Sequence, residues 1–401
     1  MRFESTYVPY GGYWSTPFAK WQGSLSHLHA IPFAAEVAKK ALAQKDIPAD
    51  TFDAVVFGMT VPQKRALYAG PWLAARIGAE GISGPWIAQA CATGARVLAA
   101  AGAEIETSAG RTLLTITADR CSNGPHIYYP NPLGMGGTGE KEDWVVDSFG
   151  DDPWAANSMI QTGENVAAEA GITREEQDEV TLVRHGQYHK ALADDGAFHR
   201  RYMVWPLEVK DARGSKVVAA LKGDEGVFPT TREGLAKLEP VLPGGTITFG
   251  SQTYPADGNC GMIVTDRERA SRLAADKRIE IQVLSFGQAR VKKGFMAMAT
   301  VPAARAALDA AGVTLKDVKA IKTHNPFALN DVYLSRELGI TIDRFNNYGS
   351  SLIFGHPQGP TGTRLIIELI EELVLEGGGH GLFVGCAAGD SAAAIVLRVG
   401  R

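Results

Sequence analysis

Apolar residues near both ends of the chain follow two patterns, which favour two kinds of element. Residues 54–61 and 111–118 are short apolar runs with the length of buried strands. Residues 32–44 and 361–375 carry apolar side chains at helical spacing, and the second segment forms an amphipathic stripe. Because strand-like and helix-like segments alternate, the pattern predicts a layered α/β body with a mostly parallel central sheet.

The C-terminal third repeats the layout of the first. Residues 301–311 predict a helix, and residues 320–323 predict a short strand. Residues 382–385 and 392–399 predict a closing pair of strands around Cys386. The two ends of the chain therefore resemble each other in the order of their elements.

Each of these two regions also places a reactive residue shortly before a Thr-Gly pair and a predicted helix. Cys91 precedes such a pair at 93–94, and His356 precedes one at 361–362. Glycine lets backbone or substrate atoms come close. An internal duplication is the simplest explanation of the shared layout.

The middle of the chain differs from both ends. Residues 121–243 are rich in proline, glycine, aromatic and charged residues, which predicts a loop domain inserted over the first half. Within it, helices are predicted over 164–170 and 174–191, the second opened by a capping box of Thr173 and Glu176. We therefore predict three units: an N-terminal half over 1–120 that is continued by 244–270, the loop domain over 121–243, and a C-terminal half over 271–401.

Charge and composition exclude several classes of function. The 401 residues carry 40 basic and 44 acidic side chains, so the net charge of −4 gives no overall attraction to nucleic acid or an anionic membrane. The chain lacks the roughly 20-residue apolar stretch of a membrane span and an apolar signal segment, so we expect a soluble, cytoplasmic protein. The four cysteines form no Cys-x-x-Cys pair, which predicts reduced thiols and no metal site.

Three residues carry candidate chemistry. Cys91 lies between a predicted strand and a helix N-terminus, where free N–H groups and the helix dipole favour a thiolate. His356 lies between glycine and proline, and its imidazole would take the thiol proton if it lies near Cys91. Cys386 lies among small residues and is suited to be a second acid–base thiol. Taken singly, each has a structural alternative as a core cysteine or a loop histidine.

Four further segments, together with these three sites, resemble the thiolase family. Residues 16–25 resemble the family's RTPFGKFGGSL segment, 159–167 resemble MGxTAENVA, 172–178 resemble ISReEQD, and 245–258 resemble GTxTAGNxSxxxDGA. The resemblance runs from end to end of the chain. It implies the thiolase fold, five layers in the order αβαβα built from two duplicated halves, with an inserted loop domain.

The resemblance also implies a mechanism. Cys91 would attack the keto carbon of a 3-oxoacyl-CoA, and cleavage would leave an acyl group on its sulfur together with an enolate. Cys386 would protonate the enolate and then deprotonate the incoming CoA. His356 would activate Cys91 and donate to the enolate oxygen, while the N–H of Cys91 and one just after Cys386 would hold the second oxyanion.

Several positions depart from the family pattern. His324 stands where the family has the Asn of its NEAF segment, and we expect it to be a fourth catalytic residue. Thr253, Ser251, Met159 and Phe327 are the residues that we expect at the CoA site, with Thr253 on the pantetheine arm. These departures predict a divergent thiolase with its chemistry intact and its substrate pocket changed.

Aromatic residues of the predicted loop domain have two interpretations. Tyr128, Tyr129, Trp144, Phe149 and Trp154 either roof a bulky acyl chain or form a small core of their own. The changed pocket suggests a non-standard substrate and a resemblance to the thiolases of aromatic degradation, such as the benzoylsuccinyl-CoA type. Some relatives of that type work with a small zinc-ribbon subunit.

The sequence therefore predicts a thiolase that cleaves a 3-oxoacyl-CoA with CoA to a shortened acyl-CoA and acetyl-CoA or another acyl-CoA, or runs the reverse Claisen condensation. CoA would be a substrate, with no tightly bound cofactor. We expect a homodimer or tetramer, with a small accessory subunit as a further partner. Two alternatives stay open: an acyltransferase that uses Cys91 with a non-CoA acceptor, and a non-catalytic subunit with the thiolase fold.

Overall fold

The structure is a computed structural model that describes residues 1–400. Its strands, numbered along the described chain, are β1 (Tyr7–Pro9), β2 (Tyr13–Ser15), β3 (Ala19–Lys20), β4 (Ala54–Gly58), β5 (Trp86–Ile87), β6 (Thr112–Arg120), β7 (His126–Tyr129), β8 (Glu140–Asp143), β9 (Leu207–Lys210), β10 (Val217–Leu221), β11 (Ala256–Thr265), β12 (Glu280–Arg290), β13 (Val318–His324), β14 (Gly379–Ala387) and β15 (Ser391–Gly400). The strand pair predicted around Cys386 is confirmed, because β14 and β15 form an antiparallel hairpin.

Each predicted helical segment corresponds to a helix with ends within about five residues, and the structure adds further helices that the sequence did not predict. The helices are α1 (Ala30–Ala43), α2 (Ala69–Ile77), α3 (Thr93–Glu106), α4 (Val146–Gly150), α5 (Met159–Ala170), α6 (Arg174–Gly196), α7 (Arg232–Ala236), α8 (Arg267–Leu273), α9 (Thr300–Ala311), α10 (Ala328–Leu338), α11 (Ser351–Phe354) and α12 (Gly359–Leu375). The capping box of Thr173 and Glu176 opens α6, whose backbone leaves helical geometry at residues 193–195. No helix within residues 1–400 is both long and apolar enough to cross a membrane.

The central sheet is mixed, so the prediction of a mostly parallel sheet was wrong. Across the described residues its strands run in the order β13-β14-β15-β12-β1-β11-β6-β4-β5, with β2 and β3 paired to β11. Parallel pairing occurs between β13 and β14, β4 and β6, and β4 and β5, the strands joined by helical crossovers. The other pairs are antiparallel. They involve β1, β11, β12 and β15, which join the two halves and are reached through hairpins or long connections.

Alternate residues of the long strands enter different cores, which gives the layers their order. In β6, Leu113 packs into the central core and Leu114 into an outer core with α1 and α2. In β14, Phe383 packs into the central core and Leu382 into a second outer core with α9. Because side chains alternate across a strand, helices cover both faces of each half. The order is outer helices, strands, central helices, strands, outer helices.

The central layer is formed by α3 and α12, which pack at glycines. A Cβ on Gly94 would lie 2.5 Å from the backbone nitrogen of Thr363 and 2.8 Å from the carbonyl oxygen of Gly359. A Cβ on Gly362, which faces the same contact, would lie 3.5 Å from the Cα of Gly94. The two Thr-Gly pairs of the sequence therefore bring together the helices that follow Cys91 and His356.

Helix α12 is buried on all sides, whereas the sequence predicts an amphipathic helix with one buried stripe. Every residue from 359 to 374 is buried, including Arg364, Glu368 and Glu371. Residues outside the helix layers cover the polar face: Arg364 forms an ion pair with Asp224, and Glu371 accepts hydrogen bonds from Tyr13 and Arg201. Charged residues can be buried in this way because each has a partner.

Candidate active site

Cys91 lies in the short connection between β5 and α3, two residues before the helix begins. The preceding residue, Ala90, has a φ of 43°, which turns the chain sharply before the helix. The Cys91 residue is half-buried and borders two cavities. Its thiol donates to the side-chain oxygen of Gln358 at 3.3 Å. The backbone N–H groups of Ala388 and of Cys91 itself lie near the sulfur and lower the pKa of its thiol.

The resting state of Cys91 differs from the expectation of a thiolate. Burial raises the pKa of the thiol to about 12, although the N–H groups of Ala388 and Cys91 act in the opposite direction. Because the sulfur is buried, a thiolate there would lose its hydration. This cost raises the pKa by more than the two backbone N–H groups and the helix N-terminus lower it. Cys91 is therefore a neutral thiol until a base removes its proton.

His356 is held on the loop that leads into α12. Gly355, which precedes it, has a φ of +87°, and a Cβ there would lie 2.7 Å from the ring of Tyr254. Glycine is therefore required at this position. The Nδ1 atom of His356 is 2.7 Å from the hydroxyl oxygen of Thr361, and its Nε2 atom has no hydrogen-bond partner among residues 1–400.

His324 ends β13 and stacks on His356. The ring centroids are 4.1 Å apart and the planes are inclined by 27°. The Nδ1 atom of His324 is 2.8 Å from the hydroxyl oxygen of Ser351, and within the described chain its Nε2 atom is also unpartnered. Each ring is thus fixed by one hydroxyl group and keeps its other nitrogen free for a ligand.

Both imidazoles are neutral at ordinary pH. Burial lowers the pKa of His324 to about 3. Burial also lowers the pKa of His356 well below its usual value, and the neighbouring His324 adds to that effect while Gln358 opposes it. The stacked pair therefore offers neutral ring nitrogens, and not a positive charge, next to Cys91.

The sulfur of Cys91 and one ring nitrogen from each histidine lie within 4.8 Å of one another. Sulfur and imidazole nitrogen are ligand types that zinc accepts, so these atoms could hold a metal. The same distances suit proton transfer between the thiol and an imidazole.

Cys386 lies near the end of β14, fully buried. Asn330, on α10, donates from Nδ2 to the Cys386 sulfur at 3.2 Å. Burial raises the pKa of Cys386, and the nearby Cys91 raises it further, whereas Asn330 lowers it. The two thiols are therefore close enough to influence each other, and a neutral amide holds the second one.

Two cavities open beside Cys91. The first has a volume of about 370 Å³ and a mostly apolar wall that includes Met159, Thr253, Phe327 and His356. The second has a volume of about 770 Å³. Its wall carries Trp144, Phe149 and Trp154 together with Arg290 and Ala388 and the acidic residues Glu142, Asp147, Asp151 and Asp152. Together they provide room for a long ligand that passes the sulfur.

Of the four residues predicted for the CoA site, three line the wall of the first cavity and one is buried in the protein interior. Met159, Thr253 and Phe327 line the first cavity. The Thr253 hydroxyl donates to the carbonyl oxygen of Ser351 at 2.5 Å, so its proton is already used. Ser251 is fully buried, and its hydroxyl accepts from the N–H of Thr248 at 2.9 Å. Ser251 thus supports the segment that carries Thr253.

Three of the five aromatic residues of the predicted loop domain line the larger cavity, and two of these three also belong to a small core. Trp144 and Phe149 pack against a small core of Val61, Cys121 and Val145. The same two rings, with Trp154, also line the larger cavity. Tyr128 and Tyr129 lie instead on the exposed hairpin of β7 and β8.

Sequence reasoning missed Asn330 and Gln358. Asn330 is a buried amide on a helix that begins just after His324, and only the fold brings it to Cys386. Gln358 lies two residues after His356, and its φ of 57° and ψ of −105° were not visible in the sequence. A polar residue within the glycine-rich segment was the only available signal.

Comparisons with known proteins agree with this geometry. The thiolase N-terminal domain family matches residues 13–268, and the thiolase C-terminal domain family matches residues 277–399. The human mitochondrial 3-ketoacyl-CoA thiolase is 27% identical over 391 residues, which cover 96% of each chain. A 3-ketoacyl-CoA thiolase of Bacillus subtilis is 29% identical, covering 96% of this chain and 97% of its own.

Solved structures agree as well, and they confirm the predicted thiolase fold. The crystal structure of human mitochondrial 3-ketoacyl-CoA thiolase superposes with a TM-score of 0.89 at 26% identity, covering 98% of both chains. The Bacillus anthracis acetyl-CoA acetyltransferase gives a TM-score of 0.90 at 24% identity over 99% of both chains, a likeness of fold. With both family domains matched over nearly its whole length, this chain belongs to the thiolase family.

Proposed function

We propose that the protein is a thiolase, which cleaves a 3-oxoacyl-CoA with CoA or forms one by the reverse Claisen condensation. The observation that carries the proposal is the group formed by the Cys91 sulfur and the two ring nitrogens of His324 and His356, all within 4.8 Å of one another. A buried thiol next to a neutral imidazole is the arrangement that nucleophilic acyl transfer requires. CoA is a substrate in this chemistry and not a resident cofactor.

In the first half-reaction, His356 would take the proton of Cys91 while the sulfur attacks the keto carbon. The negative oxygen that forms would be held by the N–H groups of Cys91 and Ala388, which lower the pKa of the Cys91 thiol. Each such donor is typically worth roughly 3 kcal/mol of barrier. The carbon–carbon bond then breaks, its electron pair goes to the enolate, and the acyl group stays on sulfur.

The enolate oxygen would lie against the free nitrogens of His324 and His356. His324 would thus serve in place of the Asn of the family pattern. Cys386 would protonate the enolate carbon and later take the thiol proton of incoming CoA. The amide of Asn330 would support this role, because it donates to the Cys386 sulfur and favours its thiolate form.

We further propose that the pantetheine arm of CoA enters along the first cavity, past Met159, Thr253 and Phe327, with Ser251 behind Thr253. The apolar wall suits a thin, mostly apolar arm. The human mitochondrial relative has been solved in complex with CoA. The larger cavity would then receive the acyl group, and Trp144, Phe149 and Trp154 favour a bulky or aromatic one.

We propose the same three units as the sequence indicates, with boundaries after residues 120, 243 and 270. We also propose a homodimer or tetramer. Edge strand β5 supports it, because Trp86 is exposed there and Leu67 and Tyr68 are exposed nearby in the chain. A cytoplasmic location is favoured by the four free thiols. A small accessory subunit is a further proposal, taken from the analogy with aromatic degradation.

Loss of the enolate absorbance of acetoacetyl-CoA, measured with and without CoA, tests the proposed chemistry. We expect CoA-dependent turnover by the wild type, and its loss in both Cys91→Ala and Cys386→Ala. A wild type that becomes acylated on Cys91 without releasing acyl-CoA would favour transfer to another acceptor. A wild type whose Cys91 stays unmodified by every thioester tested would favour a non-catalytic subunit.

A further inference from the structure

Gln358 adopts a backbone conformation that side chains rarely occupy. It lies between His356 and the start of α12, with a φ of 57° and a ψ of −105°. The next peptide is fixed, because the N–H of Gly359 donates to the Asp119 carboxylate at 2.9 Å. The same carboxylate accepts from the N–H groups of Thr60 and Val61 at 2.7 and 2.8 Å. Glycine would fit this turn without strain, yet the chain carries a glutamine here.

The amide of Gln358 has one satisfied end and one free end. Its oxygen accepts from the Cys91 thiol at 3.3 Å. With the oxygen facing the sulfur, the NH2 group is directed elsewhere. That nitrogen, Nε2, is buried and has no partner among the residues the structure describes. A buried unpaired donor is unfavourable, and a ligand oxygen would relieve it.

The free donor lies where an acyl group would pass. Gln358, Cys91, Phe149 and Met159 are the residues that line both cavities. An oxygen that accepts from Nε2 would lie within roughly 8 Å of the Cys91 sulfur, given ordinary hydrogen-bond lengths. That distance corresponds to the first few carbons of an acyl group on Cys91.

The charge of the larger cavity restricts the kind of oxygen. Its wall carries the carboxylates of Glu142, Asp147, Asp151 and Asp152 against one arginine, Arg290. The arginine already donates from Nε to the carbonyl oxygen of Gly389 at 3.1 Å. An anionic acyl group would meet an excess of negative charge. An uncharged oxygen would not.

We propose that Gln358 selects substrates whose acyl group carries an uncharged oxygen near the reacting carbon, such as a hydroxyl, ether or carbonyl group. Its Nε2 donates a hydrogen bond to that oxygen. Gln358 is thus a specificity-determining residue, and the proposal rests on the thiolase activity proposed above. It adds a preference within that reaction and requires no further chemistry.

The test measures binding, so it does not depend on turnover. Thioethers of CoA cannot acylate Cys91, and three of them differ only at the end of a short chain: S-butyl-CoA, S-(3-hydroxypropyl)-CoA and S-(2-carboxyethyl)-CoA. We expect the wild type to bind the hydroxyl compound about tenfold more tightly than the butyl compound, the effect of one buried hydrogen bond. In Gln358→Leu this preference should vanish, with the loss confined to the hydroxyl compound.

Two further variants complete the design. Gln358→Asn keeps the amide but shortens it and should lose most of the preference, which covers the case that the leucine variant fails to fold. Gln252→Leu removes another glutamine, from the wall of the first cavity, and should change the affinity of both compounds alike. Thermal unfolding of each variant verifies that it is folded.

Several outcomes would overturn the proposal. If Gln358→Leu lowered the affinity for the hydroxyl and the butyl compound equally, Gln358 would only position Cys91. Tightest binding of the carboxylate compound would contradict the argument from charge. Failure of the thiolase proposal is seen separately, in the acetoacetyl-CoA assay, where the thioethers take no part.

Discussion

Replacing Asp224 by asparagine should strongly destabilise the protein, because it removes one charge from a fully buried ion pair. Both Asp224 and Arg364 have side chains that are 0% exposed. Arg364 donates to the two carboxylate oxygens at 2.6 and 2.8 Å. Tyr188 and the N–H of Phe18 donate to the same carboxylate at 2.9 and 2.8 Å. Asp224 thereby fixes the middle of the chain to α12, the helix that follows His356 and Gln358.

The expected magnitude follows from the burial of both partners. Removing one member of a buried pair typically costs about 3–5 kcal/mol, because the remaining charge is left without its counterion. Glu368 also accepts from Arg364, at 3.0 Å, so the guanidinium keeps one partner and the lower part of that range is expected. Asparagine preserves the shape and one oxygen, so a cavity does not contribute.

Denaturant unfolding followed by circular dichroism measures the change in the free energy of unfolding. Asp195→Asn is the matched control, because Asp195 pairs with Arg200 at an exposed site, with side chains 81% and 46% exposed. That variant should lose less than about 1 kcal/mol. A loss below about 1 kcal/mol for Asp224→Asn as well would refute the reasoning that this buried pair holds the middle of the chain on α12.

The pH dependence of stability gives an independent measure. Burial alone would raise the pKa of Asp224, but Arg364 opposes it and the pKa is lowered. A carboxyl group with a lowered folded pKa stabilises the protein above its unfolded pKa, near 3.9, and loses that contribution as the pH falls through the folded value. The stability difference between wild type and Asp224→Asn should therefore shrink only in strong acid.

Three further outcomes are expected. The rate of alkylation of Cys91 by iodoacetamide should keep rising through pH 10, because burial raises the pKa of this thiol to about 12. Below that value the fraction of reactive thiolate increases about tenfold per pH unit. A plateau of the rate near pH 8.5 would contradict this expectation. Asn330→Ala should raise the pKa of Cys386 further, since the Asn330 amide donates to its sulfur at 3.2 Å, and should move the basic limb of the thiolysis pH profile to higher pH. An unchanged profile would remove Asn330 from the mechanism. Gly94→Ala should lower the free energy of unfolding by about 1–3 kcal/mol through its 2.5 Å clash, whereas Gly186→Ala, where nothing lies within 4 Å, should be neutral or stabilising in the same assay.

Local periodicity was enough to predict the elements that surround the site. The strand at 111–118 and the helix at 32–44 correspond to β6 and α1 because their apolar patterns reflect a single environment along the element. Strand direction was not predictable in this way, since the antiparallel partners β11 and β12 pair with strands that are distant in sequence. The full burial of α12 was missed for the same reason: the groups that cover its charges, such as Asp224, come from remote segments.

The candidate active site shows the same contrast between local features, which the sequence predicts, and contacts between remote segments, which it does not. Cys91, His356 and Cys386 stand in short segments whose residue types alone indicate acyl transfer. The ionisation of Cys91 was predicted in the wrong direction, because a helix terminus is a local feature whereas burial depends on loops from the whole chain. Gln358 and Asn330 were missed because their importance lies in where an amide points, which no spacing in the sequence records.

The resting site holds its reactive groups uncharged, and this has a consequence for catalysis. The pKa of both thiols is raised and the pKa of both imidazoles is lowered, in each case chiefly by burial. An apolar thioester can therefore enter without displacing water from fixed ions. In the proposed mechanism, charge would first appear when Cys91 gives its proton to a base, beside the N–H groups of Cys91 and Ala388, which lower the pKa of its thiol. Because those donors are fixed before the reaction, they would stabilise the negative charge as it moves from sulfur to the substrate oxygen without any rearrangement of the protein.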